Sequence, residues 1–318
     1  MAAQGALKII EAEDVQRVLD FPMLIAALRE AFGAPASVPR RVLFRLDEDG
    51  PGREVFALLP AWTDDVIAVK AFTHMPANAA AGRETVHASI LLFDRATGRP
   101  TTAADGTSIT YWRTAAVSAL AADYLARRDA HRLLLCGTGS LAPYMALAHA
   151  AVRPIDDVAV WGRNAERAAR TADVITGRRP DLRCHVVDDL ESAALQADVI
   201  SCATASPEPI IRGDWVRPGT HTDFCGNHER EARECDTDLV VRARVFVDSR
   251  VNVMNEAGEI LIPIAEGRID EHAIVGELAD LCTGRVSGRG ADDEITLFKS
   301  VGTALSDLAA ARLVAARL

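Results

Sequence analysis

The segment that most constrains this chain is a short apolar strand, Leu133-Leu134-Leu135-Cys136, that runs straight into Gly137-Thr138-Gly139-Ser140-Leu141-Ala142. In such a junction the first Gly permits a tight turn and the second lets a phosphate approach the backbone. Ala142 lets the following helix pack close to the strand. The helix opening there presents free N–H groups, a ready anion site. An ordinary βα turn can carry the same letters, so the surroundings decide. They alternate in type: strand-like 132–136, helix-like 142–151, then 157–161, 165–176, 183–187, 190–194 and 199–202. That rhythm predicts an α/β fold with a doubly wound parallel sheet of the Rossmann kind.

Gly137, Thr138, Gly139, Ser140 and Leu141 are therefore expected to bind a dinucleotide. The second strand, Val158-Ala159-Val160-Trp161, ends in Gly162-Arg163-Asn164. An acid at this place would bind a ribose 2′-OH, whereas Arg suits a 2′-phosphate. Arg163 and Asn164 join the set, with NADP(H) the expected cofactor and NAD(H) the alternative. A solvated Arg opening a helix is the plainer account of Arg163. Thr204 and Lys299 are counted with the cofactor-binding residues.

The first part of the chain has another texture. Residues 11–32 read as helix, broken by Phe21-Pro22. Strand-like runs follow at 42–44, 55–59, 66–72 and 89–93, with turns such as Asp49-Gly50-Pro51-Gly52 and no helix between them. Their sheet is expected to be antiparallel or mixed. An Ala-rich helix follows at about 111–128. The domain boundary is placed near residue 118, giving 1–118 and 119–301, with a last helix at about 302–318 able to return to the first domain.

Charge and cysteines narrow the function classes. The formal net charge is -10 and no Lys/Arg run occurs, which excludes the basic face of a nucleic-acid binder. A local cationic pocket for a small anion stays compatible with that balance. No apolar stretch reaches membrane-helix length, and no signal core follows the N-terminus. The six cysteines show no CxxC spacing. A reduced, cytoplasmic protein with no metal site and no disulfide framework is expected.

Further motifs lie outside the glycine turn. They are Lys70-Ala71-Phe72-Thr73-His74, Gly82 and Thr85 with 88–94, Arg113-Thr114-Ala115-Ala116-Val117-Ser118-Ala119-Leu120, Glu208-Pro209-Ile210-Ile211, and Thr296-Leu297-Phe298-Lys299-Ser300-Val301-Gly302. With the glycine turn they closely resemble the ornithine cyclodeaminase/mu-crystallin family along essentially the whole chain. The resemblance implies an N-terminal mixed α/β substrate and dimerisation domain, a Rossmann domain, a cleft between them holding the chemistry, and a homodimer. It also implies that Arg41, Lys70 and Arg113 bind a substrate carboxylate and that Thr85 contacts the substrate. The chemistry agrees: a carboxylate is planar and suits the Arg fork, with Lys beside it as a point charge. Arg113 is expected near a helix start, where terminal N–H groups would add to an anion site. Lys70 interrupts an apolar strand, where an unpaired ammonium would be costly. Arg41, next to Arg40, could equally be a surface residue.

One loop departs from the family pattern. Where the cyclodeaminases carry a catalytic Asp in a G-x-D-x-P-G-K-x-E-like loop, this chain reads Gly226-Asn227-His228-Glu229-Arg230-Glu231-Ala232-Arg233-Glu234. His228 stands at the Asp position, and the Pro-Gly is missing. The departure favours NAD(P)H-dependent reduction of a cyclic imino acid, such as Δ1-pyrroline-2-carboxylate or Δ1-piperideine-2-carboxylate, with Lys70 and His228 as catalytic candidates. Ornithine cyclodeamination and alanine dehydrogenation are the alternatives. Non-catalytic binding of a small ligand is the alternative of another class. A solvated loop histidine is the plain account of His228.

Overall fold

The computed structural model describes residues 6–46 and 54–318. The first residues of the N-terminal stretch, and the 49–52 turn, lie outside the described residues. The chain divides into two compact units. One comprises residues up to Arg113 together with Thr303–Leu318, and the other is Thr114–Gly302.

The first unit begins with β1 (Lys8–Ile10), α1 (Ala12–Val18) and α2 (Phe21–Gly33). Asp20 caps α2, its carboxylate accepting from Met23 N at 2.8 Å with Pro22 in the first turn. Phe21, Leu24, Ile25, Leu28 and Phe32 recur at helical spacing and are the buried side of α2. The strands β2 (Val42–Arg45), β3 (Val55–Trp62), β4 (Val66–His74), β5 (Val86–Asp94) and β6 (Pro100–Asp105) form one sheet in the order β1-β6-β5-β4-β3-β2. Four of its five pairings are antiparallel and β1·β6 is parallel, so the sheet is mixed. The C-terminal helix, Ala304–Arg317, packs against α2, β3, β4 and β5.

Helix α3 (Gly106–Leu125) follows β6 directly. Its early start has a local cause: the Asp105 carboxylate accepts from Ser108 N at 2.7 Å, a cap immediately after the strand. Gly106 lets the turn pass close to β5, since a Cβ there would lie 2.9 Å from the Ala88 backbone. The expected helix at 111–128 thus begins earlier, and Arg113 sits about two turns inside it (113 − 106 = 7 residues). Terminal N–H groups therefore do not serve Arg113.

The second unit is the doubly wound one. It runs β7 (Arg132–Cys136), α4 (Ala142–Val152), β8 (Asp157–Trp161), α5 (Ala165–Arg178), β9 (Arg183–Val186), α6 (Leu190–Ala194), β10 (Val199–Cys202) and β11 (His221–Phe224). It continues with α7 (Thr237–Arg242), β12 (Arg244–Val247), α8 (Arg250–Glu256), α9 (Gly258–Ala265), β13 (Ile274–Glu277), α10 (Leu278–Thr283) and β14 (Thr296–Lys299). All eight strands are parallel, in the order β13-β12-β14-β11-β10-β7-β8-β9. The order reverses between β7 and β10, the switch point where such sheets take ligands beyond the carboxyl ends of the strands. Among the described residues no helix is long and apolar enough to cross a membrane.

Candidate active site

In the first unit the central feature is a buried charge cluster on β4, α3 and the C-terminal helix. Lys70 lies mid-strand, opposite Leu59 of β3 and Ile90 of β5, and is 3% exposed. Its Nζ donates to Thr110 Oγ1 at 2.6 Å and to Asp307 Oδ1 at 3.2 Å. Arg113 Nε donates to the same Asp307 oxygen at 2.9 Å. Asp307 is 1% exposed and belongs to the C-terminal helix. Burial pushes the Lys70 ammonium down to about 8, with Asp307 opposing and Arg113 and Arg41 adding to the fall. Burial would raise the Asp307 carboxyl, but Arg113 and Lys70 hold it below the usual carboxylate range. Arg41 is half-buried just ahead of β2 and near enough to act electrostatically on Lys70. Thr85 is half-buried in the turn before β5, where its carbonyl accepts from Met75 N.

In the second unit the turn after β7 is built without room to spare. Gly137 has φ 127°, and a Cβ there would lie 2.6 Å from the Ala203 carbonyl oxygen beyond β10. Gly139 is different: a Cβ there would meet nothing within 4 Å, so its backbone is open to an approaching group. Leu141 precedes α4, and Ser140 is exposed in the same turn. Thr138 lies against Gly162, which admits its Cγ2 only because it lacks a Cβ. This arrangement of one glycine in a conformation that disfavours any side chain, one open glycine and a helix N-terminus fits a dinucleotide pyrophosphate. Arg163 is exposed after β8, and the Asn164 side chain caps α5 by accepting from Arg167 N at 2.9 Å.

Beneath that turn lies a second buried charge network. Glu234 is fully buried. Its Oε1 accepts from Thr204 N at 2.7 Å and Thr204 Oγ1 at 2.8 Å, and its Oε2 accepts from Gly226 N at 2.8 Å. One carboxylate thus brackets the loops that leave β10 and β11. Gly226 is required there, since a Cβ would lie 2.1 Å from Thr204 backbone atoms. Burial raises Glu234 to about 7, with Lys299 lowering it and Glu259 raising it. Lys299 is also fully buried, donating to the Asn227 carbonyl at 2.8 Å and pairing with Glu259 at 2.9 Å. Burial alone would lower its ammonium, but Glu259 and Glu234 lift it above the ordinary lysine value. Lys299 therefore serves the interior of its unit, directly beneath the loop that carries His228. His228 itself is exposed on that loop. The rest of the 296–302 run is also engaged internally. Asp248 accepts from Ser300 Oγ, Val301 N and Gly302 N at 2.8, 3.1 and 2.6 Å.

Lys70 and Arg113 are thus brought together, as are the glycine turn and Thr204. Asp307 and Glu259 are not evident from the sequence, where their only signal is an acid inside an otherwise apolar helix, as in Ala304-Leu305-Ser306-Asp307-Leu308-Ala309 and Gly258-Glu259-Ile260-Leu261. Glu234 stands in the sequence as the closing acid of the 226–234 loop, but nothing there signals its burial.

Residues 8–318 match the model of the ornithine cyclodeaminase/mu-crystallin family. The chain belongs to that family. It is 46% identical over 314 residues to a Δ1-pyrroline-2-carboxylate reductase of Colwellia psychrerythraea, covering 98% of this chain and 99% of the relative. Its fold is similar to that of Thermococcus litoralis Δ1-pyrroline-2-carboxylate reductase solved in complex with NADH and L-proline. The TM-score is 0.93 at 33% identity, covering 98% of this chain and 97% of the other. An archaeal alanine dehydrogenase dimer with bound NAD is also similar, with a TM-score of 0.90 at 26% identity over 98% of this chain and 95% of that one.

Proposed function

We propose that this chain reduces a cyclic imino acid, such as Δ1-pyrroline-2-carboxylate or Δ1-piperideine-2-carboxylate, to the cyclic amino acid with a nicotinamide dinucleotide. The observation that carries the reading is the buried Lys70–Asp307–Arg113 cluster. Two cations share one carboxylate oxygen, with Arg41 adding a third positive charge nearby. The surplus suits an α-carboxylate, which Arg grips as a fork and Lys as a point charge. Thr85 is assigned to substrate contact. The name borne by the Colwellia relative, matched end to end, supports the same substrate class.

Gly137, Thr138, Gly139, Ser140 and Leu141 would hold the dinucleotide, with Thr204 beside them and Arg163 and Asn164 at the ribose end. Arg163 favours NADP(H) over NAD(H). Once bound, the reduced nicotinamide supplies a hydride to the imine carbon. The chain's own residues fix the carboxylate and bring a proton to the ring nitrogen. His228 is the assigned donor, and Lys70, its ammonium brought down to about 8, is a second proton source. The working form is taken to be a cytoplasmic homodimer.

The test is purified protein with NADPH or NADH against a panel of cyclic ketimines, with ornithine plus NAD and pyruvate plus ammonia run in parallel. Loss of nicotinamide absorbance with the ketimines is expected. Ammonia release from ornithine at an ordinary enzymatic rate, without ketimine turnover, would overturn the reading. Ligand binding with no turnover at all would make the chain a binding protein.

A further inference from the structure

The chain has only three lysines, Lys8, Lys70 and Lys299, among 35 Lys and Arg residues. Lys70 occupies a demanding place, since the flanking strands oppose it with Leu59 and Ile90 and the ammonium is almost wholly out of water. A buried Lys loses its proton readily, and a neutral amine offers no charge to a carboxylate. The charged groups acting on Lys70 come from three places: Arg113 of α3, Arg41 ahead of β2 and Asp307 of the C-terminal helix. Of these, only Asp307 favours the charged form.

Asp307 also acts on Arg113. It takes the Nε–H, so the ligand-binding edge left to the guanidinium is the pair of Nη groups. The carboxylate is held in position by the packing of its helix against α2, β3 and β4. It lies far from its partners along the chain, 237 positions from Lys70 and 194 from Arg113.

We propose that Asp307 is the positioning residue of carboxylate recognition: it keeps Lys70 charged inside the sheet and turns Arg113 so that its two Nη groups face the substrate. This rests on the reading of Lys70 and Arg113 as carboxylate ligands given above. Asp307 acts through those two residues and not on the reacting atoms. Removing its charge should therefore change the pH dependence of recognition, and lengthening its side chain should change the geometry alone.

Lysine labelled with 15N at Nζ gives three signals in this chain; loss of one in Lys8→Arg and of another in Lys70→Met identifies the Lys70 signal, so Lys70 can be titrated directly in the folded protein. In Asp307→Asn the Lys70 midpoint should fall by about one pH unit or more, the usual effect of losing an adjacent opposite charge. The ratio of variant to wild-type kcat/KM, in which titration of the substrate itself cancels, should fall as pH rises, mostly through KM. Asp307→Glu should keep the Lys70 midpoint close to wild type and raise KM roughly tenfold through misplaced Arg113, with kcat less affected. A folded Asp307→Asn with an unmoved Lys70 midpoint would overturn the proposal. So would an Asp307→Glu enzyme with unchanged KM, and that arm stands even if Asp307→Asn fails to fold. The Lys70 midpoint is read without substrate. Absence of ketimine turnover by the wild type would therefore sink the proposed function alone, and turnover with an unmoved midpoint would sink only the role of Asp307.

Discussion

Arg113 meets Asp307 through Nε alone, so replacing it removes a fork from the substrate while leaving Asp307 its contact with Lys70. Arg113→Ala should cost on the order of 2–4 kcal/mol of transition-state binding, tens- to several-hundredfold in kcat/KM, with dinucleotide affinity unchanged. Near-wild-type kinetics on a carboxylate substrate would sink the assignment. Arg163 is exposed at the end of β8, free of the packing that fixes Lys70. Arg163→Asp should weaken NADPH and leave NADH binding equal or better, measured by fluorescence titration of both; equal wild-type affinities would mean that Arg163 only faces solvent. His228 is exposed too. His228→Asn should lower kcat with little change in KM, because it would remove a proton donor without touching the carboxylate site. An unaltered kcat leaves Lys70 as the proton source.

At the scale of elements, the turns after β7, β10 and β11 nest so closely that two glycines have opposite duties. A Cβ on Gly226 would collide with Thr204 backbone held by Glu234, so Gly226→Ala should destabilise the protein by roughly 1–3 kcal/mol, read as a fall in Tm. A Cβ on Gly139 meets nothing within 4 Å. Gly139→Ala should therefore melt like the wild type and still bind dinucleotide about tenfold more weakly, about 1.4 kcal/mol, because the methyl would stand where the pyrophosphate approaches. If both variants melt normally, the nesting has no energetic weight. The glycine motif announced this turn in the sequence, but the bracket beneath it was silent. Glu234 and Glu259 are single acids whose partners come from other elements, and no periodicity registers that.

At the scale of the whole molecule, the first unit ends its sheet on β2, which leaves Val42, Leu43 and Phe44 exposed, Leu43 by 51% and Phe44 by 46%. An apolar edge strand of this kind invites pairing or coverage. A second copy of the chain is the expected cover, so sedimentation should report about twice 34.1 kDa. Phe44→Glu should shift the protein toward monomer without lowering the Tm of the isolated chain much. A monomeric wild type at micromolar concentration would contradict the expectation.

The local periodicities and turn chemistry of the sequence were enough to determine the alternation of the second unit, the glycine turn and the strand placement of Lys70, and to split residues 11–32 into two helices, although the break falls at Leu19-Asp20 and Phe21-Pro22 open the second helix. Each depends on neighbours within one or two turns of chain. Short β1 and β6 were not legible, because three- and six-residue strands become strands only by pairing with one another and with β5. The start of α3 was missed for a related reason: its cap is Asp105, the last residue of an unrecognised strand. The counter-charges belong wholly to tertiary structure. Asp307 reaches Lys70 and Arg113 only because the C-terminal helix returns to the first sheet, and Lys299 reaches Glu259 only inside the folded second unit. A buried charge is tolerated when a partner from elsewhere in the chain arrives beside it, and only the fold decides which partner that is.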